Sequence, residues 1–205
     1  LNKSSFLKNL AKSYYSSFDI KKSFTIKECK NSLSKSINNL GQDHIHTFLL
    51  HEPKVYDEIE EGMEDILYSF QKEGLFKEYG ISGNNLDLDY FYKNKTNLIN
   101  KVIQCDENIF KKKIKPCLNK KIKYIKFGLI KNSLSKINTH FESLPNIKKY
   151  WSERININLE DNDNIGAAII ASHLEINIGE KVIFSSLKPK RIKNMLNILN
   201  NPKWV

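Results

Sequence analysis

Few side chains in this 205-residue chain are placed as though for chemistry, and His51 is the first of them. The apolar run Thr47-Phe48-Leu49-Leu50 reads as a buried strand, yet it ends on His51, Glu52 and Pro53. An imidazole at a strand end can hold or pass a proton near neutral pH. Three other apolar runs also end on polar groups: Ser82 after FKEYGI, Gln104 after LINKVI, and Ser186 after KVIFS. The competing reading of each is structural, a polar side chain satisfying backbone groups where a strand stops. His44 and His46 alternate with apolar positions and match no metal-ligand spacing, so no metal site is assigned. The carboxylates of EEGMED, residues 60–65, read as the solvated face of a helix rather than an acid/base couple.

These groups do nothing together unless the elements beneath them converge. FTIKECKNSLSKSINNLG opens on Thr25 with Glu28 three residues later, a capping box. Ile26, Cys29, Leu33, Ile37 and Leu40 then keep helical spacing, and Gly41 closes the helix. A strand over 45–50 follows, then a helix over about 56–72 with Ile59, Met63, Ile66, Leu67 and Phe70 on one face. The pattern repeats: strand 76–82, helix 86–92, strand 98–104, helix 106–113, strand 121–129, helix 133–141. Helix 164–175, strand 181–186 and helix 189–199 complete it, with Pro189 suited to a first turn. Residues 1–23 are a polar, poorly defined leading segment with a short helix near 6–14.

Five strands alternating with helices, at intervals too long for hairpins, predict parallel βα units. No glycine-rich GxGxxG loop follows any strand, which weighs against a doubly wound dinucleotide fold. In a barrel, by contrast, strand C-termini meet at one mouth. The expected fold is therefore α/β, an incomplete (β/α)8 TIM-type barrel of about five units, forming a single domain over 1–205.

Composition narrows the class further. The chain is 40% apolar and 27% charged, and no apolar run approaches the ~18–20 residues of a membrane span. Three cysteines outside any CxxC pair suit a reduced, cytoplasmic protein better than a disulfide framework. A net charge of +10 raises nucleic acid as a partner. Against that, the lysines are dispersed, and the densest cluster, residues 111–126, holds one aromatic and no binding motif, so nucleic acid is disfavoured.

Four segments together resemble the aldo/keto reductase family. FTIKECKNSLSKSINNLGQDHIHTFLLHEP is similar to its helix ending in Leu-Gly, then an Asp-x-Ile strand ending in His-x-Pro. FQKEGLFKEYGIS looks like the unit leading to Gly-Val/Ile-Ser, and VIQCDENIF like the strand Val-Gln-x-x-x-Asn-x-Phe/Leu. KVIFSSLKPKRIKNML resembles the last strand and the phosphate-binding loop. They stand in family order from about residue 24 to 199.

The resemblance implies hydride transfer between NADP(H), or NAD(H), and a small-molecule carbonyl or alcohol. Within the family's Asp-Tyr-Lys-His tetrad only the histidine has a match, His51, which would orient and polarise the carbonyl. It further implies that Ser82 and Gln104 contact the nicotinamide amide, and that Phe127 replaces the tyrosine stacked on its ring. Ser186, Lys188 and Arg191 fall in the loop that holds the adenosine 2′-phosphate. Departures from the pattern are Gly83 for the usual asparagine, Ser185 for the loop lysine, and His46 for the strand aspartate.

With Leu1 as first residue and five units of eight, the expectation is the C-terminal portion of such a barrel. It would lack the strands carrying Asp, Tyr and Lys and be inactive by itself. Two other readings stay open: a non-catalytic dinucleotide-binding subunit that regulates or binds a partner, and a basic nucleic-acid-associated protein. The substrate and the oligomeric state are not fixed by the sequence.

Overall fold

The structure, a computed structural model, describes residues 22–110 and 122–200. The first helix, α1 (Ile26–Leu40), begins as its capping residues require. The Thr25 hydroxyl accepts the Glu28 N–H at 3.1 Å while the Glu28 carboxylate accepts the Thr25 N–H at 3.3 Å. Gly41 ends it at φ 60°, its N–H donating to the Asn38 carbonyl while the Gln42 N–H donates to that of Ile37. Cys29 and Leu33 face the core, whereas Leu40 is exposed.

Strand β1 (Ser23–Phe24) precedes α1, and β2 (Ile45–His51) follows it. The helix expected over 56–72 starts only at Met63: α2 spans Met63–Lys72. Gly62, at φ 82°, breaks the acidic stretch, and that stretch serves neighbouring backbone instead. Glu58–Ile59 forms β3, paired in parallel with β1. The Glu60 carboxylate accepts the Ile26 N–H at 2.7 Å, and Asp57 accepts the N–H groups of Lys22 and Lys54. The carboxylates of this segment thus close turns and cap a helix as much as they face water.

Then come β4 (Phe76–Gly83), α3 (Asn85–Asn94), a 3-10 turn (Thr96–Leu98), β5 (Val102–Asp106) and β6 (Lys123–Phe127). The strand expected over 98–104 is shifted: Leu98 and Ile99 bury their side chains from a turn, and pairing begins at Val102. The helix expected over 106–113 is not formed where the chain is described: Asp106 ends β5, residues 107–108 are irregular, 109–110 turn, and 111–113 lie outside. The leading helix near 6–14 also lies outside.

Helices α4 (Leu129–Ser143), α5 (Pro145–Ile155) and α6 (Asn162–Ile176), strand β7 (Lys181–Val182) and helix α7 (Pro189–Leu199) complete the chain. Gly128, at φ 71°, ends β6 early and starts α4 four residues before the expected point. Helix α5 was not foreseen, although it carries Pro at its first position and Asn156 in the left-handed conformation at its end. Only two residues of the expected 181–186 strand pair with β6.

The main sheet has the order β2-β4-β5-β6-β7, every pair parallel. Spatial neighbours follow one another along the chain, with no reversal of the kind a doubly wound sheet shows. This is the arc of an incomplete (β/α)8 barrel. Helix-facing residues Phe48, Leu50, Tyr79, Ile81, Ile103 and Cys105 join Cys29, Leu33, Met63, Leu67 and Phe91 in one core. A second core is built mainly from helices, around Leu129, Ile165, Ile169, Ile170 and Met195.

Candidate active site at the strand ends

Register decides which polar side chains meet. His51 pairs with Ser82, Ser82 with Gln104, and Gln104 with Ile125, one level across four adjacent strands. Because side chains at one level of a parallel sheet share a face, His51, Ser82 and Gln104 form a row at the C-terminal rim. His51 is exposed, Ser82 buried and Gln104 half-buried. None of the three side chains has a hydrogen-bond partner among the described residues.

The backbone holds this row firmly. The Glu52 N–H donates to the Ser82 carbonyl at 2.7 Å, and Glu52 turns the chain out of the strand at φ 51°. That left-handed conformation in a residue with a side chain is mild strain at the rim. Asp87, in the first turn of α3, ties down the segment after His51: it accepts the Val55 N–H at 3.2 Å and the Lys54 ammonium at 3.4 Å. Deeper in β4, a Cβ on Gly80 would lie 1.8 Å from the Val102 carbonyl oxygen, so only glycine lets β4 and β5 approach in this register.

The opposite end of the same face is closed by charge. Glu78 is buried, in register with Thr47, and accepts the Thr47 hydroxyl at 3.2 Å and the Lys123 ammonium. Burial alone would raise its pKa. The hydrogen bond and charge of Lys123, with Thr47 and His46, outweigh burial and hold the carboxyl below its usual range. One end of the face is thus satisfied internally, and the other presents an imidazole, a hydroxyl and an amide to whatever binds.

The remaining predicted residues sit elsewhere. Phe127 pairs with Asp106, one turn of the pleat beyond the row. Phe127, Ser185 and Arg191 line a cavity of about 460 Å³ between the end of β6, the start of α6 and α7. Ser186 and Lys188 are not among its walls. They bond to each other instead, the Lys188 N–H donating to the Ser186 oxygen at 3.1 Å. Arg191 donates to Asp163, a partner sequence reasoning did not name.

A buried charged network behind the sheet was also missed. The Lys126 ammonium lies 3.1 Å from Cys105 Sγ and 3.1 Å from Glu107 Oε2. The Asn108 N–H donates to Glu107 Oε1 at 3.0 Å, and nearby His173 Nε2 contacts Glu180 at 2.9 Å. Burial pushes the Cys105 thiol up despite Lys126. Burial would also raise Glu107, but the Asn108 N–H and Lys126 win and lower it. Glu107, His173 and Glu180 lie close enough to one another to suggest a metal. Each acid, however, already has Lys126 or His173 against it, so the group closes on itself. Strand alternation could have flagged Lys126, which shares the helix-facing side with Tyr124.

Among the described residues no helix is long and apolar enough to cross a membrane. Taken together, a parallel α/β arc with a polar row at its strand C-termini defines a barrel-type protein. Residues 13–164 match the aldo/keto reductase family profile, and the chain belongs to that family. Similar folds occur in an aldo/keto reductase from Brucella melitensis (17% identity, TM-score 0.52, covering 90% of this chain and 65% of that one). They occur also in an aldo/keto reductase from Klebsiella pneumoniae solved with NADP and acetate (12%, 0.54, 84% and 59%). A third is a thermostable aldo-keto reductase bound to the inhibitor epalrestat (13%, 0.56, 84% and 60%). The chain spans about three-fifths of the length of these structures. No curated protein matches it.

Proposed function

We propose that this chain is the cofactor-binding part of an NADP(H)-dependent oxidoreductase that moves a hydride between nicotinamide and an aldehyde, ketone or alcohol. The observation that carries this reading is the row His51–Ser82–Gln104, level across three strands and without protein partners among the described residues. A flat carboxamide fits such a row, because Gln104 offers a donor and an acceptor in one plane and Ser82 a hydroxyl beside it. The nicotinamide would supply the hydride itself.

This chain's own residues then have separate tasks. Ser82 and Gln104 fix the ring's orientation by holding its amide. His51, next in the row, donates a hydrogen bond to a carbonyl oxygen as negative charge collects there. The cavity lined by Phe127, Ser185 and Arg191 takes the rest of the dinucleotide, with Phe127 toward the nicotinamide ring, Arg191 toward the adenosine phosphate, and Ser186 and Lys188 at its approach. Gly83 leaves the amide with one contact fewer than the family pattern supplies.

The tyrosine, lysine and aspartate that complete the family's proton-transfer set have no counterpart at matching positions, so these 205 residues bind dinucleotide without turning it over. Titration with NADPH, followed by tryptophan fluorescence, should saturate, and Gln104→Ala should weaken binding on the order of tenfold. The chain alone should give no NADPH consumption with aldehydes or ketones. Absence of any NADPH binding would refute the reading, and robust turnover by the chain alone would refute its second half.

A further inference from the structure

Arg191 is one of two arginines in the chain, and its guanidinium is already engaged. Nε and a terminal NH2 both donate to one oxygen, Oδ1 of Asp163. Asp163 lies in the first turn of α6, its backbone fixed by the N–H that donates to the Asp161 carboxylate at 2.8 Å. A second tie, Asn194 to Asn164 at 3.1 Å, keeps α7 against the same turn. Asp163 and Arg191 both line the 460 Å³ cavity.

We propose that Asp163 sets the dinucleotide preference of this chain, as the counter-ion that a 2′-phosphate must displace from Arg191. The assignment rests on the cofactor reading above. A 2′-phosphate brings close to two negative charges and needs the guanidinium for a paired contact. To make that contact it must break the arginine–carboxylate pair and then sit beside the released carboxylate, with Asp161 adding to the repulsion. A ribose 2′-hydroxyl meets the opposite situation, because a carboxylate accepts its hydrogen bond directly. The same residue therefore opposes NADP(H) and suits NAD(H), which narrows the discrimination an unpaired Arg191 would give.

Calorimetric titration of the intact chain and of Asp163→Asn with NADPH, NADH, 2′,5′-ADP and ADP, at one ionic strength, tests this. Removing the charge should tighten NADPH and 2′,5′-ADP on the order of tenfold, while NADH and ADP stay level or weaken. Adding Arg191→Ala should erase the gain. If the asparagine variant fails to fold by circular dichroism, Asp163→Ser serves the same comparison. Unchanged or parallel shifts for both ligand classes, with NADPH still bound by the parent chain, would overturn the role of Asp163 and leave the cofactor reading intact. No heat from any dinucleotide with a folded chain would overturn both.

Discussion

The two ends of this sheet position their functional groups by different physics. Around β2, β4 and β5 the polar row is placed by backbone register, over a core of Phe48, Leu50, Tyr79, Ile81 and Ile103. Beyond β6, where β7 adds only two paired residues, position comes from helix packing and ion pairs, above all Arg191 with Asp163, while Lys126 of β6 pairs with Glu107. Register is set by many cooperative hydrogen bonds and cannot drift by less than a residue. An ion pair can exchange its partner for a ligand. On the proposed function, the first arrangement would hold a nicotinamide ring at a fixed distance, and the second would let a phosphate enter and leave.

The contrast can be broken from the register side first. Gly80→Ala should be the most damaging substitution, because its Cβ meets backbone that cannot rotate away. We expect a loss of about 3 kcal/mol or more, read as a large drop in urea midpoint or failure to fold. Lys126→Met tests the other region. It leaves Glu107 buried without its ammonium, and the expected loss is about 3 kcal/mol by the same measurement. The half-exposed Arg191–Asp163 pair should by comparison contribute less than about 1 kcal/mol to stability. If Lys126→Met proves as mild as that, burial does not separate the two pairs.

Smaller effects sharpen the same division. Thr25→Ala removes the cap of α1 and should cost about 1 kcal/mol, with no change in NADPH binding. The depressed carboxyl of Glu78 makes stability pH-dependent. Its contribution is present above the ordinary carboxylate pKa and is lost as pH falls through the lowered folded value. Urea midpoints at pH 7 and pH 3 should therefore differ less in Glu78→Gln than in the parent chain. An equal difference would remove Glu78 from the account.

Local signals were legible wherever a single residue carries the physics. Thr25 with Glu28, Gly41 and Pro189 marked their helix ends correctly, because caps are made within one turn. The run ending at His51 was legible by its abrupt change of polarity. Less visible were the starts of α2 and β5, where glycine conformation and a buried turn overrode apolar spacing. Helix α5 went unread because none of its side chains is buried, so no apolar stripe announces it.

By itself the sequence determined the class of fold and the residue types at the strand ends, since alternation of apolar and polar positions is a local property. Only the tertiary structure decided that His51, Ser82 and Gln104 stand at one level, because register depends on pairing between strands some 20 to 30 residues apart. It also decided that Arg191 meets Asp163 and Lys126 meets Glu107. Charges find partners by distance in space, and spacing along the chain carries no trace of it.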